Sequence, residues 1–461
     1  MSQLNCFASE ADDDTIGLRA VSRRDYKGWK KSLSPGDRRW LDAVNFSADH
    51  GNVALIPGPD GSVARAVLGL GSEFRMWDFA AAVSSLPPGQ YAIEEALPDD
   101  QLDHAALAWA LASYKYERYK SNEDPIPRLV WPATVDQAAV RRCYEATALA
   151  RDLINTPAGD LGPAELATSV TQLAEIHQAT CTQIVGEELV ERDYPAIYAV
   201  GKGSPRAPRL IELRWGDEAA PKVTLVGKGV CFDSGGLDIK SASGMKLMKK
   251  DMGGAAMVLA LAHMIMDAGL AVRLRVLVPA VENSVSGDAY RPGDVVRTRK
   301  GLHVEIGNTD AEGRVILSDA LTDACAEEPT LLIDAATLTG AARVALGTEL
   351  PALFSSDDGW ADDIVTRGRT EQDPLWRMPL FTPYKRHLES KIADLNNISS
   401  VSQGGAITAA LFLQHFVTEK TPWLHIDTMG WNVTSRPGRP AGGEVFGLRA
   451  IFAALSNRYA S

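Results

Sequence analysis

The sequence contains no run of eighteen apolar residues, no CxxC pair, no HExxH and no GxGxxG or Walker A loop. These absences argue against a membrane-spanning helix, a zinc knuckle, a histidine-ligated zinc protease and the common nucleotide-binding loops. Cysteine is scarce: Cys6, Cys143, Cys181, Cys231 and Cys325 are scattered and odd in number, which suits a reducing cytoplasm better than a disulfide framework. Positive charge is the minority, with 47 Lys and Arg against 59 Asp and Glu and a net charge of -12. A phosphate backbone would be repelled by that balance, so nucleic acid is a disfavoured partner. The first 25 residues carry Glu10, Asp12, Asp13 and Asp14 where a secretory signal needs an apolar run. The expectation is a soluble, unexported, cytoplasmic protein with no membrane partner.

What is present is an ordinary globular composition, 45% hydrophobic and 23% charged over 461 residues, too long for one core. In the amino-terminal part, NVALIPG (52–58), YAIEEAL (91–97) and RLVWP (128–132) read as strands alternating with helices. A helix over 103–119 puts Leu107, Leu111 and Tyr114 on one face and runs into the charged stretch that Pro125 and Pro127 punctuate. The expected division is a smaller α/β domain over 1–135, a linker helix over 136–150 and a larger domain over 151–461. In the latter, apolar runs at 196–201, 209–215, 222–227, 272–281, 331–338 and 423–430 read as strands buried on both faces. Helical stretches at 253–269, 314–328 and 405–417 follow several of them, which predicts a mostly parallel sheet flanked by helices. Ligands then belong beyond the carboxyl ends of its strands.

Three polar pieces fall at such ends. Strand 222–227 runs into KGVCFDSGGLDIK, which carries Lys228, Asp233 and Lys240 in a glycine-rich loop; one Asp there can also be a plain turn former. Asp251 immediately precedes the helix opening at Gly253, where a carboxylate also suits the helix terminus. GNTDAEGR (307–314) spaces Asp310, Glu312 and Arg314 by two, so an extended backbone would point all three the same way, unless the stretch is a solvated acidic turn. Gathered at one sheet edge, four carboxylates would repel one another unless cations neutralised them. They suffice to bridge a pair of divalent ions. The eight histidines show no paired spacing and read as structural.

VGKGVCFDSGGLDIK with KKDMGGAA, and NTDAEGR, resemble the two signatures of the leucine aminopeptidase (cytosol aminopeptidase) family. Further similarity lies at 151–167, 334–342, 376–397 and 404–416, so the resemblance covers 145–430 and is weak before it. It implies a two-metal aminopeptidase that hydrolyses the N-terminal bond of peptides, assembled as a homohexamer. Lys228, Asp233, Asp251 and Glu312 would hold one ion, and Asp233, Asp310 and Glu312 with the Asp310 carbonyl the other, as manganese or zinc. Lys240 would donate to the developing oxyanion, Arg314 would hold an anion such as bicarbonate, and Thr337, Leu338 and Gly340 would contact the peptide. Met248 would line the pocket for the first side chain or else belong to the core. Three features depart from the family: Gly307 replaces a larger apolar residue, Cys231 stands where Thr or another small residue is usual, and the pattern changes after Met429. Cys231 is either a ligand or a buried small hydrophobe. Two other readings are an architectural or regulatory DNA-binding protein on the same fold and a catalytically dead assembly protein.

Overall fold

The computed structural model describes residues 4–94, 97–122 and 124–460. The chain forms two compact units, Met1–Ala148 with Thr434–Ala441, and Leu149–Val433 with Gly442–Ser461. Residues 434–441 thus belong to the first unit, whereas the sequence suggests an unbroken second domain.

The first unit is built on a six-stranded sheet in the order Phe7–Ala8, Arg128–Val130, Gln90–Ile93, Ile16–Val21, Val63–Gly69, Val53–Pro57. Only the last pair is antiparallel. Ser22 and Ser34 cap two of its helices by accepting the N–H groups of Asp25 and Asp37. The helix expected over 103–119 is instead Asp99–Ser113. Asp99 and Asp100 favour the earlier start at the positive helix terminus. Beyond Ser113, Lys115 Nζ donates to Asn122 Oδ1 and the Asp124 carbonyl, and the folded-back loop competes with further helix. The strand expected over 91–97 stops at Ile93, and its Glu95 and Ala96 lie outside the described residues. A 19-residue helix, Gln137–Asn155, carries the chain from one unit into the other.

The second unit contains a nine-stranded sheet. Its strands are β1 (Thr180–Val185), β2 (Arg209–Trp215), β3 (Lys222–Gly227), β4 (Gly229–Asp233), β5 (Arg273–Asn283), β6 (Leu331–Ala336), β7 (Ala352–Ser355), β8 (Trp376–Arg377) and β9 (Trp423–Asp427). The order is β8-β7-β9-β6-β3-β5-β2-β1, with β4 also on β5. The centre, β9 to β5, is parallel, and antiparallel pairs occur toward the edges. Among the flanking helices are α1 (Gly253–Asp267), α2 (Glu312–Ala326), α3 (Gly340–Leu346) and α4 (Gly405–Gln414). This is the mostly parallel, helix-flanked α/β arrangement that the apolar pattern predicts.

Two local expectations fail for physical reasons. The run 196–201 is helix Pro195–Gly201, not a strand: Pro195 opens it, and the buried carboxylate of Asp319 accepts the free N–H groups of Ala196 (2.8 Å) and Ile197 (3.2 Å). A six-residue apolar run carries too little periodicity to separate the alternatives. Likewise, the segment after Gly227 is not loop at once, because β4 continues along β5 in parallel after a break at Lys228.

That break is fixed by close packing. A Cβ at Gly254 would sit 2.1 Å from the Ala335 carbonyl oxygen, and one at Gly227 2.6 Å from the Ala255 Cα. Helix α1 therefore approaches β3 and β6 at backbone distance, where Lys228 N–H donates to the Ala335 carbonyl (3.0 Å) and Ala255 N–H to the Lys228 carbonyl (2.9 Å). Gly254→Ala should cost about 2 kcal/mol or more in thermal unfolding, since backbone must move to admit one methyl. Gly28→Ala, in an exposed helix with nothing within 4 Å of the added carbon, should instead be neutral or gain up to about 1 kcal/mol.

Candidate active site

The sheet's carboxyl edge collects the three polar pieces. Lys228 emerges at the strand break, where its buried Nζ lies 2.8 Å from Asp251 Oδ2 and 2.9 Å from Glu312 Oε1, and donates to the Thr337 carbonyl at 3.0 Å. Asp233 closes β4; its Oδ1 accepts from Gly235 N–H and Asn283 Nδ2, both at 2.8 Å, and its Oδ2 lies 2.7 Å from Lys240 Nζ. Lys240 also pairs with Asp310. Asp251 sits in a single 3-10 turn, Met248–Met252, and Thr337 Oγ1 donates to its Oδ1 at 2.7 Å.

The glycine-rich loop is clamped to the NTDAEGR turn. Asp238 N–H donates to Thr309 Oγ1 (2.9 Å), Thr309 N–H to Asp238 Oδ2 (2.8 Å), and Thr309 Oγ1 to the Gly235 carbonyl (2.6 Å). Gly235 and Gly236 make the required bend at φ +87° and +65°. Asn283 Nδ2 joins Asp233 to the Thr309 carbonyl (3.0 Å), which Tyr290 OH also reaches (2.6 Å). Sequence reasoning passed over Asn283, Thr309, Asp238 and Tyr290. Asn283 ends the β5 run, and its place at a carboxyl edge was the available signal.

The alternate-residue argument for Asp310, Glu312 and Arg314 does not hold, because the backbone there is a turn entering a helix. Glu312 is the first residue of α2, and Asp310 precedes it outside the helix. The two carboxylates still converge: Asp233, Asp310 and Glu312 each offer an oxygen within 4.8 Å of the others. Arg314 points elsewhere. Its Nη1 donates to the Asn397 carbonyl at 2.8 Å, its guanidinium lies 6.0 Å from the Phe412 ring centre, and its buried Nε has no hydrogen-bond partner. Gly307 is explained locally, since a Cβ there would sit 2.5 Å from Asn396 Oδ1 and 2.6 Å from Ile398 Cγ1. Cys231 is buried in β4 with its thiol 3.6 Å from the Gly229 carbonyl; burial pushes that thiol well up, and it is outside the carboxylate cluster.

Electrostatically the cluster is under-neutralised. Burial and then the Asp251 charge push Asp233 up to about 6, and burial and the Asp233 charge hold Glu312 well above its ordinary value. Burial would raise Asp251 too, but the Lys228 ammonium outweighs it and holds Asp251 low. For Lys228 burial acts downward, yet Asp251, Glu312 and Asp233 together keep its ammonium above the usual range. The Lys228 ammonium meets Asp251 Oδ2 and Glu312 Oε1, and the Lys240 ammonium meets Asp310, but the second oxygen of fully buried Glu312, Oε2, has no hydrogen-bond partner. Carboxylates gathered this closely fit divalent cations, for which they are suitable ligands.

A cavity of about 600 Å³ opens onto the cluster. Met248, Thr337, Leu338 and Gly340 line it together with Lys228, Asp233, Lys240, Asp251 and Asp310, and Met248 is therefore not a core residue. Asp427, at the end of β9, anchors its far wall: its Oδ1 accepts from Leu338 and Thr339 N–H, and its Oδ2 from Thr339 Oγ1 (2.6 Å).

The chain matches the model of the cytosol aminopeptidase family catalytic domain over residues 148–452 and that of the M17 aminopeptidase N-terminal domain over 16–132. It is 41% identical over 363 residues to a probable cytosol aminopeptidase of Roseiflexus castenholzii, covering 75% of this chain and 74% of that protein. Identity to the Rhodococcus jostii counterpart is 37% over 433 residues, covering 86% and 85%. Among solved structures, the cytosol aminopeptidase of Coxiella burnetii superposes with TM-score 0.95 at 47% identity, over 99% of this chain and 100% of that one. The bottromycin maturation enzyme BotP in complex with Mn gives TM-score 0.87 at 34% identity, over 96% and 99%. Both signatures, the catalytic fold and the carboxylate-lysine cluster lie within the matched span, and the chain belongs to the cytosol aminopeptidase family.

Proposed function

We propose that this site removes the N-terminal residue of peptides with two divalent cations per subunit. The chain is a metal-dependent aminopeptidase by family; the count of ions and the role of each side chain are the reading offered here. The observation that carries it is the convergence of Asp233, Asp310 and Glu312 beside a cavity that Asp233 and Asp310 line, with Glu312 Oε2 buried and without a hydrogen-bond partner. Lys228, once an adjacent dication has displaced its proton, would hold one ion with Asp233, Asp251 and Glu312, and Asp233, Asp310 and Glu312, with the Asp310 carbonyl, would hold the other. A Mn complex of a relative with the same fold favours manganese, and zinc suits the same donors.

Bound cations supply Lewis acidity toward the scissile carbonyl and acidify the attacking water. The protein does the rest. Lys240, held by Asp233 and Asp310, donates to the oxygen that gains charge in the transition state. Thr337, Leu338 and Gly340 align the peptide along the cavity wall, and Met248 meets the first side chain. A free α-amine brings Asp251 a cationic partner that an internal peptide bond lacks, which restricts attack to the terminus. Arg314 holds an anion, bicarbonate being one of the right shape, at its unpartnered Nε; arginine cannot itself deprotonate water. The domain limits 1–135, 136–150 and 151–461, with 434–441 set apart from the last, cytoplasmic residence and a homohexamer complete the proposal. A DNA-binding role is not supported.

Three outcomes test it. The chelated protein should bind two equivalents of Mn or Zn by calorimetry, and Asp233→Ala should lose at least one; binding of a single equivalent by the unaltered chain would refute the two-ion assignment. Hydrolysis of leucine anilide should disappear on chelation, return with metal, and fall by about a hundredfold or more in Lys240→Ala, mostly in kcat. Asn283→Leu, which removes the tie between Asp233 and the Thr309 carbonyl, should weaken cation binding by about ten- to a hundredfold without unfolding the chain.

A further inference from the structure

Four cations line the cavity: Lys228, Lys240, Lys250 and Arg343. Two are committed, Lys228 to Asp251 and Glu312, and Lys240 to Asp233 and Asp310. The other two are not. Lys250 is 5% exposed and, among the described residues, its ammonium has neither a hydrogen bond nor a carboxylate within ion-pair distance. Arg343, on α3, has among the described residues one side-chain hydrogen-bond contact, to the Met429 sulfur at 3.6 Å. Asp427, the cavity's remaining carboxylate, already accepts three hydrogen bonds from Leu338 and Thr339.

A buried ammonium without an anion is costly, and the cost is relieved by loss of its proton or by a negative charge delivered to it. Neither a cavity water nor the backbone carries that charge. The cavity is where the substrate enters, so the missing anion arrives with the substrate. Arg343, at the exposed rim of the same cavity, offers the planar fork that suits a carboxylate.

We infer that Lys250, assisted by Arg343, binds a substrate carboxylate and biases this aminopeptidase toward peptides that present one inside the cavity. Two sources have this chemistry: the side chain of an N-terminal Glu or Asp, and the C-terminal carboxylate of a dipeptide. The inference rests on the aminopeptidase reading above and adds a specificity determinant to it.

The test uses the metal-loaded enzyme and ratios of kcat/KM, so that a general loss of activity cancels. One arm compares glutamate anilide with leucine anilide, which have no peptide C-terminus. The other compares Leu-Gly with Leu-glycinamide, which have no acidic side chain. In Lys250→Met the ratio should fall about ten- to a hundredfold in one arm, chiefly through KM, as expected when a charge-assisted hydrogen bond is lost. Lys250→Arg should restore much of it, and Arg343→Gln should lower the same ratio less. A fall in the first arm assigns the side chain, and a fall in the second assigns the terminus. No change in either arm overturns the inference. Should the unaltered enzyme cleave none of these substrates, the aminopeptidase reading fails separately; calorimetric binding of Leu-Gly, leucine and glutamate, with Lys250→Met selectively losing either glutamate or Leu-Gly, still decides this one.

Discussion

Everything at the carboxyl edge of the large sheet follows from one constraint, the mutual repulsion of Asp233, Asp251, Asp310 and Glu312. Three of them are almost wholly buried, and at that depth like charges cannot remain ionised together without compensation. Two lysines supply part of it from opposite sides, Lys228 between Asp251 and Glu312, and Lys240 between Asp233 and Asp310. Buried Glu312 Oε2, which accepts no hydrogen bond, marks what the lysines leave unanswered. The scaffold has to hold these groups together against their repulsion, which explains why so much of the surrounding polar structure is backbone clamping.

The clamp comes from three separate chain segments. The β3–β4 break, made possible by glycine packing of α1 onto the sheet, aims Lys228 inward. Thr309 and Asp238 lock the glycine-rich loop to the turn before α2. Asn397 then ties that turn to the strand beyond, accepting the N–H groups of Gly307 (2.8 Å) and Asn308 (3.2 Å). Gly307 belongs to this tie, because a side chain there would displace Asn396 and Ile398. A departure from the usual family residue is thus matched by its neighbours and leaves the carboxylates where they are needed.

Charge in the cavity is therefore divided by function. Carboxylates and two lysines form a closed group, Asp427 is spent on the 338–339 backbone, and Lys250 and Arg343 pair with neither. Met248 lines the same cavity, so one cavity can orient a peptide by charge while packing its first side chain.

The sequence by itself determined the class of fold, because near-continuous apolar runs alternating with helical stretches have few solutions other than a buried, mostly parallel sheet. It also determined the chemistry, because carboxylates and lysines at strand ends point to cations whatever the detailed path of the chain. Tertiary structure alone decided the rest. Residues 196–201 became helix because Asp319, over a hundred positions away, accepts two of their N–H groups. Asp310 and Glu312 converge through a turn and a helix start rather than along a strand, while Arg314 leaves them for Asn397. Asn283, Lys250 and Arg343 carry no local pattern that sets them apart; which carboxylate each meets, or fails to meet, depends on contacts between distant segments, and charge pairing is a matter of distance in space rather than along the chain.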